Sequence, residues 1–144
     1  MAAALLDVSL VALSLVVTVS DLRSRLIPDL PLLIALTAAL SVCAIGDAGS
    51  IGGRLLAGAA AGGFLLVAAV IRPDGMGLGD VKLAGVLGVY LGVRVIEAMA
   101  IAFAAGSLAG LVLLVRHGWE ARRRTIPFGP FLALGALLAI APQP

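Results

Sequence analysis

A chain of 144 residues that is 62% apolar and 12% charged, with 18 glycines and a mean hydropathy of +1.18, lies far outside soluble globular usage. That composition excludes a soluble enzyme and predicts an integral membrane protein, with the lipid bilayer as its first partner. The net charge of +2 and a pI near 9.3 imply no nucleic acid, because the basic residues sit in the connections and read as determinants of topology.

The apolar stretches run continuously instead of alternating, which predicts an all-α polytopic bundle rather than a barrel, each helix satisfying its own backbone in lipid. Residues 1–144 are read as one membrane-embedded domain. Residues 2–20 form the first predicted span. Nothing basic precedes them, whereas Arg23 and Arg25 follow, the reverse of a signal peptide's charge order. The N-terminus is therefore expected outside, with Asp7 near the outer interface. The connector 21–29 is cytoplasmic by its arginine pair. Residues 30–45 return outward, with Pro31 in the first turn and Asp29 as the expected N-cap. Cys43, the single cysteine, lies within this run and reads as a packed thiol, since alone it forms neither an internal disulfide nor a metal site.

Residues 46–53 read as a tight external loop, and Arg54 opens the third segment. Residues 55–71 carry no charge, and Gly58 and Gly62 give the small-xxx-small spacing that lets helix backbones approach. Residues 81–93 are short for a span. If they cross, the inside holds Arg23, Arg25, Arg72, Lys82, Arg116, Arg122, Arg123 and Arg124, leaving only Arg54 and Arg94 outside; if not, the last four of the inside set move out, against the positive-inside rule. About six spans are expected on that ground. The fifth covers 98–115, with Gly106 and Gly110 spaced for close packing. In the basic loop 116–125, His117 reads as solvated and Trp119 as an interfacial anchor. The sixth begins at Ile126-Pro127-Phe128-Gly129-Pro130-Phe131 and runs to Ile140, with prolines where a helix start tolerates them.

Within this frame Asp21 stands at the inner end of the first helix and Asp80 at the inner start of the fourth. Ionisable groups at such positions are functional-site candidates by default. Two carboxylates brought together do not both ionise cheaply, so one holds a proton while the other acts as base, the arrangement of aspartic proteases. Such a pair activates a water and protonates a leaving nitrogen. An alternative stays open on position alone: Asp80 as an N-cap behind a glycine loop and Asp21 as a helix-end charge. Gly77 and Gly79 supply a backbone that an extended peptide can approach closely. Lys82 either snorkels to the interface or favours ionisation of the nearby acid.

Three separated stretches resemble a known family, the type IV prepilin peptidases with their Gly-x-Gly-Asp motif, and especially the short form linked with tight-adherence (Flp) pili. They are Asp21-Leu22-Arg23-Ser24-Arg25-Leu26-Ile27-Pro28-Asp29, Gly77-Leu78-Gly79-Asp80-Val81-Lys82-Leu83, and Ile126-Pro127-Phe128-Gly129-Pro130-Phe131. The resemblance implies that Asp21 and Asp80 are the catalytic acids of a membrane aspartic endopeptidase working without cofactor or metal. Its implied substrates are prepilins or pseudopilins, cut between a short basic leader and an apolar helix at the cytoplasmic face of the inner membrane, in pilus biogenesis and related secretion. Asp29 departs from the family, which commonly has Asn after Ile-Pro. Longer relatives carry a cysteine-bearing cytoplasmic region and methylate the new N-terminus, so the expectation here is peptidase activity without N-methyltransferase activity. Glycine-rich loops predict that Asp80 moves relative to Asp21, and the resting carboxylates are not expected at hydrogen-bonding distance. Two other classes remain: a small ion- or proton-coupled transport subunit, with acids near the midplane, and a non-catalytic scaffold of a pilus or secretion apparatus, tolerant of Asp→Asn changes.

Overall fold

A computed structural model describes residues 2–72, 76–118 and 127–141. Six α-helices make up the described chain: α1 (Ala2–Ser24), α2 (Asp29–Gly46), α3 (Ile51–Ile71), α4 (Leu78–Leu91), α5 (Val95–His117) and α6 (Gly129–Ile140). Short 3-10 turns, Ala48–Ser50 and Gly92–Arg94, join α2 to α3 and α4 to α5. Trp119, Ile126 and the arginines at 122–124 lie outside the described residues, as does the side chain of His117.

Four apolar helical runs are long enough to cross a bilayer: Ala4–Ser24, Asp29–Gly46, Ala48–Ile71 and Leu78–Arg116, the last holding both α4 and α5. The chain is a polytopic all-α membrane protein. Its surface is inverted relative to a soluble domain, with Val8, Ile45, Val70 and Val115 each about 70% exposed or more. Inside, Leu10 and Val17 of α1, Leu65 of α3, Leu83 and Leu87 of α4 and Leu132 of α6 form one contiguous core.

The bounds differ from the sequence expectation chiefly at helix ends. The first helix runs on to Ser24, so Asp21 lies in its last turn; Arg25, with φ 53°, leaves the helical region and ends it. Asp29 is not a cap. The N-cap of α2 is Pro28, with no side-chain hydrogen bond, and Asp29 is the first helical residue. Arg54 lies within α3 rather than before it.

Helix directions follow from the contacts. A Cβ at Gly58 would meet Gly85 and Val89, and one at Gly62 would meet Val81 and Gly85, so α3 and α4 are antiparallel. Likewise Gly106 receives Phe128 and Gly135 receives Ala98, which sets α5 against α6 in opposite senses. α2 and α4 run parallel, as Lys82 meets Asp29 while the buried Tyr90 hydroxyl donates to the Ala35 carbonyl at 2.9 Å. Gly92, with φ +60°, makes the reversal between α4 and α5 that an L side chain would strain. The ends opposite the acids are closed by two arginines. Arg54 donates to the Val89 and Tyr90 carbonyls at the C-terminus of α4, and Arg94 to the Ala139 carbonyl at the C-terminus of α6. A cation there meets the unpaired carbonyls and the negative end of the helix dipole.

α4 and α6 are short, with 14 and 12 residues. α3 continues beyond the level of Gly62 and Val81 to Ile71, about 13 Å further, and α5 beyond Gly106 to His117, about 16 Å further. The starts of α4, which carries Asp80, and of α6, whose Gly129 N–H holds Asp21, are thus recessed below the tips of α3 and α5.

The α3–α4 contact is closed by backbone. A Cβ at Gly88 would lie 2.5 Å from the Gly58 Cα and 2.7 Å from the Ala57 carbonyl oxygen, whereas one at Gly63 meets nothing within 4 Å. Gly88→Ala is therefore expected to destabilise the bundle by about 1–3 kcal/mol. Gly63→Ala should be neutral or slightly stabilising, as alanine favours helix by about 1 kcal/mol. Thermal unfolding of both variants in detergent checks this; equal midpoints would contradict the close packing.

Candidate active site

Asp21 is brought into the bundle by the last turn of α1 and is 5% exposed. Its Oδ2 accepts a hydrogen bond from the Gly129 backbone N–H at 3.0 Å. Gly129 is the first residue of α6, and its N–H is one of the donors that a helix start leaves without an internal partner. Asp21 thus caps α6 across the bundle, a carboxylate at the positive end of a helix dipole. The glycine is required there: a Cβ would lie 2.6 Å from Asp21 Oδ2. Pro127 and Pro130 frame this turn, Phe128 serving as N-cap residue.

Asp80 is the third residue of α4 and is 9% exposed. Its N–H closes a turn onto the Gly77 carbonyl at 3.1 Å. The two glycines before it differ in their surroundings. Gly79 is covered by Ile27 of the α1–α2 connector, whose Cβ would be 3.1 Å from an added Cβ, so this glycine lets the connector seat on the first turn of α4. Gly77 is exposed, and an added Cβ there would make only ordinary contact with Asp80 at 3.7 Å.

Both acids line one cavity of about 650 Å³, walled by the connector and the Gly77–Asp80 turn. Lys82 and Asp29 stand at its edge. The Lys82 ammonium pairs with Asp29 Oδ1 at 2.7 Å, both side chains largely exposed. This pair ties the start of α2 to α4, a contact additional to the snorkelling and acid-biasing roles expected from sequence. The structure thus brings Asp21, Asp80, Gly77, Gly79 and Lys82 around one cavity. Asp21, Asp80 and Gly77 face it as bare functional groups or backbone.

Sequence reasoning quoted Gly129 within a motif but gave it no part in the site, and read Asp29 as a cap. The only local signal for Gly129 was a glycine between two prolines. Its partner lies 108 positions away, a separation no local pattern reveals.

Two buried carboxylates lining one cavity can divide acid and base roles. Comparison with known proteins identifies the family. The model of the type IV leader peptidase family matches residues 8–115, which include both acids and end before the Pro127–Phe131 segment. A protein of Bacillus subtilis (strain 168) named prepilin leader peptidase/N-methyltransferase is 36% identical over 131 residues, covering 90% of this chain and 52% of that protein. Proteins of the same name from Burkholderia pseudomallei (strain 1026b) and Aeromonas hydrophila are 35% and 34% identical, covering 92% and 97% of this chain and 45% and 49% of their own lengths. The chain spans about half the length of the curated relatives it matches. No solved structure matches it.

Gly129→Ala is expected to displace the Asp21 carboxylate or push α6 outward, losing about 1–3 kcal/mol as a buried charge-assisted hydrogen bond is broken. Unfolding in detergent, compared with Gly63→Ala, measures this; an unchanged midpoint would mean that α1 and α6 are not joined through this carboxylate.

Proposed function

The chain belongs to the type IV leader peptidase family, and from that premise we propose that it is an aspartic endopeptidase removing the short leader from type IV, Flp-like prepilins or pseudopilins. The observation that carries the mechanism is the convergence of Asp21 and Asp80, from the last turn of one helix and the first of another, on a single cavity.

In the proposed reaction one carboxylate is ionised and the other protonated. The ionised one takes a proton from a water as its oxygen attacks the scissile carbonyl carbon. The protonated one hydrogen-bonds the carbonyl oxygen as charge develops there. Collapse of the tetrahedral species breaks the C–N bond, and the proton gained from water passes to the leaving nitrogen. The Gly129 N–H fixes one Asp21 oxygen, which leaves the other free for the water. The exposed backbone at Gly77 is the proposed rest for the extended substrate. Lys82, through Asp29, ties the start of α2 to α4 at the cavity's edge. Glycine-flanked Asp80 is proposed to close on Asp21 only once substrate is bound.

The proposed topology has six crossings, an outer N-terminus and the acid end in the cytoplasm of a cell-membrane protein, all within one domain. Its support is the charge distribution: Arg23, Arg25, Arg72, Lys82 and Arg116 lie toward the acid end, while Arg54 and Arg94 at the other end are occupied by helix carbonyls.

Co-expression with a prepilin, scored by the size shift on leader removal, tests the dyad. Asp21→Asn and Asp80→Asn are each expected to lower cleavage by about 10³-fold or more while the protein still inserts. Lys82→Met, which breaks only an exposed ion pair, should lower it by less than about tenfold. Continued processing by either inserted Asn variant would overturn the mechanism and favour a scaffold.

A further inference from the structure

α3 has an apolar groove on each side, and the two differ in where they lead. The first, of about 710 Å³, lies between α2 and α3 with α4 as its floor; Leu33 and Leu36 form one wall, Leu55 and Ala59 the other, and Gly85 and Val89 the base. The second, of about 590 Å³, lies between α3 and α5 and is lined by Ala57, Ala60, Phe64, Ile96, Met99 and Phe103 among others. By chemistry alone both would accept lipid or a helix.

Connection to the acids separates them. Asp29 and Lys82 line the first groove and also the cavity that holds Asp21 and Asp80, so the two spaces are continuous at that ion pair. The second groove shares no lining residue with the acid cavity. Its acid-side end is filled by rings: Phe64 meets Phe103 edge-on with centroids 6.1 Å apart, and Phe103 lies against Phe128 at 5.4 Å. Phe128 in turn precedes Gly129, which holds Asp21. Aromatic packing thus closes the second groove where the first opens.

We propose that the first groove is the docking site for the apolar helix that follows the cleaved bond of the substrate, and that Ala59, Leu33 and Leu36 determine its fit. The inference rests on the peptidase reading above and adds to it a place and a direction. The groove runs along residues 29–36 of α2 and 82–89 of α4, about 10 Å or two helical turns. A helix lying there parallel to α2 and α4 has its N-terminal end at the Lys82–Asp29 pair. The residues just before that end pass over the pair into the acid cavity. The chemistry of the lining matches such a segment: apolar along the groove, with charge only at the end where the substrate turns from helix to extended chain. Association in lipid depends on close backbone approach rather than on water exclusion, and Gly58, Ala59 and Gly85 supply the small surface that such approach needs.

Adjacent residues give the test, because Ala59 faces the first groove and Ala60 the second, both exposed. In membranes containing a prepilin, Ala59→Trp is expected to raise KM about tenfold or more with kcat changed far less, and Ala60→Trp to stay within about twofold of wild type. A cross-linking arm covers the case in which Ala59→Trp fails to accumulate. In a Cys43→Ala, Asp80→Asn background, Ala59→Cys should form a disulfide with a prepilin bearing one cysteine in the first two turns of its helix, and Ala60→Cys should not. Equal kinetics for the two Trp variants, or cross-linking at Ala60 and not Ala59, would overturn the groove assignment while wild-type cleavage leaves the peptidase reading intact. Absence of cleavage by the wild type would overturn both.

Discussion

A single hydrogen bond, from the Gly129 N–H to the carboxylate of Asp21, joins the first helix of this protein to the last. In lipid there is little hydrophobic drive between helices, so the order of the bundle depends on close packing and on polar contacts of this kind. The bond serves both partners. α6 begins with a donor that its own backbone cannot satisfy, and Asp21 is an acid that burial would leave without solvation. The glycine that permits the contact therefore answers to the acid, and the acid's orientation answers to the helix start.

The same exchange of side chain for proximity builds the rest of the core. Between α3 and α4, Gly58 and Gly88 bring backbones to distances that a methyl group would prevent, while Gly62 and Gly85 complete the contact at ordinary van der Waals separation. Gly79 does this for Ile27 at the base of α4, which is how the α1–α2 connector comes to wall the cavity beside Asp80. Larger side chains are displaced to the faces of the bundle, where lipid covers them, and between them lie the two grooves flanking α3.

Much of this was legible in the sequence for a physical reason: bilayer-spanning helices impose continuous apolar runs, and a charge placed at their ends stands out. Six helices, the burial of Cys43, the use of Gly58 and Gly62 as contact points, and the placing of Asp21 and Asp80 at helix ends on the same side of the bundle all came from such local signals. The family resemblance added the catalytic role proposed for the two acids. What stayed hidden depends on registry between distant segments. Asp29 carried the local signature of an N-cap and instead forms a cross-helix ion pair with Lys82, 53 positions away. The first helix extends past its apolar run to Ser24 and ends where Arg25 leaves the helical region, a point hydropathy does not mark. Gly129 had no local reason to be a glycine; its reason is a carboxylate on another helix.

The shortness of α4 and α6 follows from where their two ends must be. Arg54 and Arg94 fix their C-termini at one end of the bundle. With 14 and 12 residues they extend about 21 and 18 Å from there, well short of a hydrocarbon core of about 30 Å. Had they been full length, Asp80 and Gly129 would stand at the interface among water and lipid headgroups, with no walls to exclude either. Being short, they set Asp80 and the Gly129 N–H that holds Asp21 below the ends of α3 and α5. Arg25 of the connector, Asp29 at the start of α2 and Lys82 line the same cavity, which gathers charged groups at this end of an otherwise apolar surface. On the proposed peptidase reading, the truncation of two helices sets the acids below the bundle's rim, so that a bond at the end of a substrate helix need be raised less far to reach them.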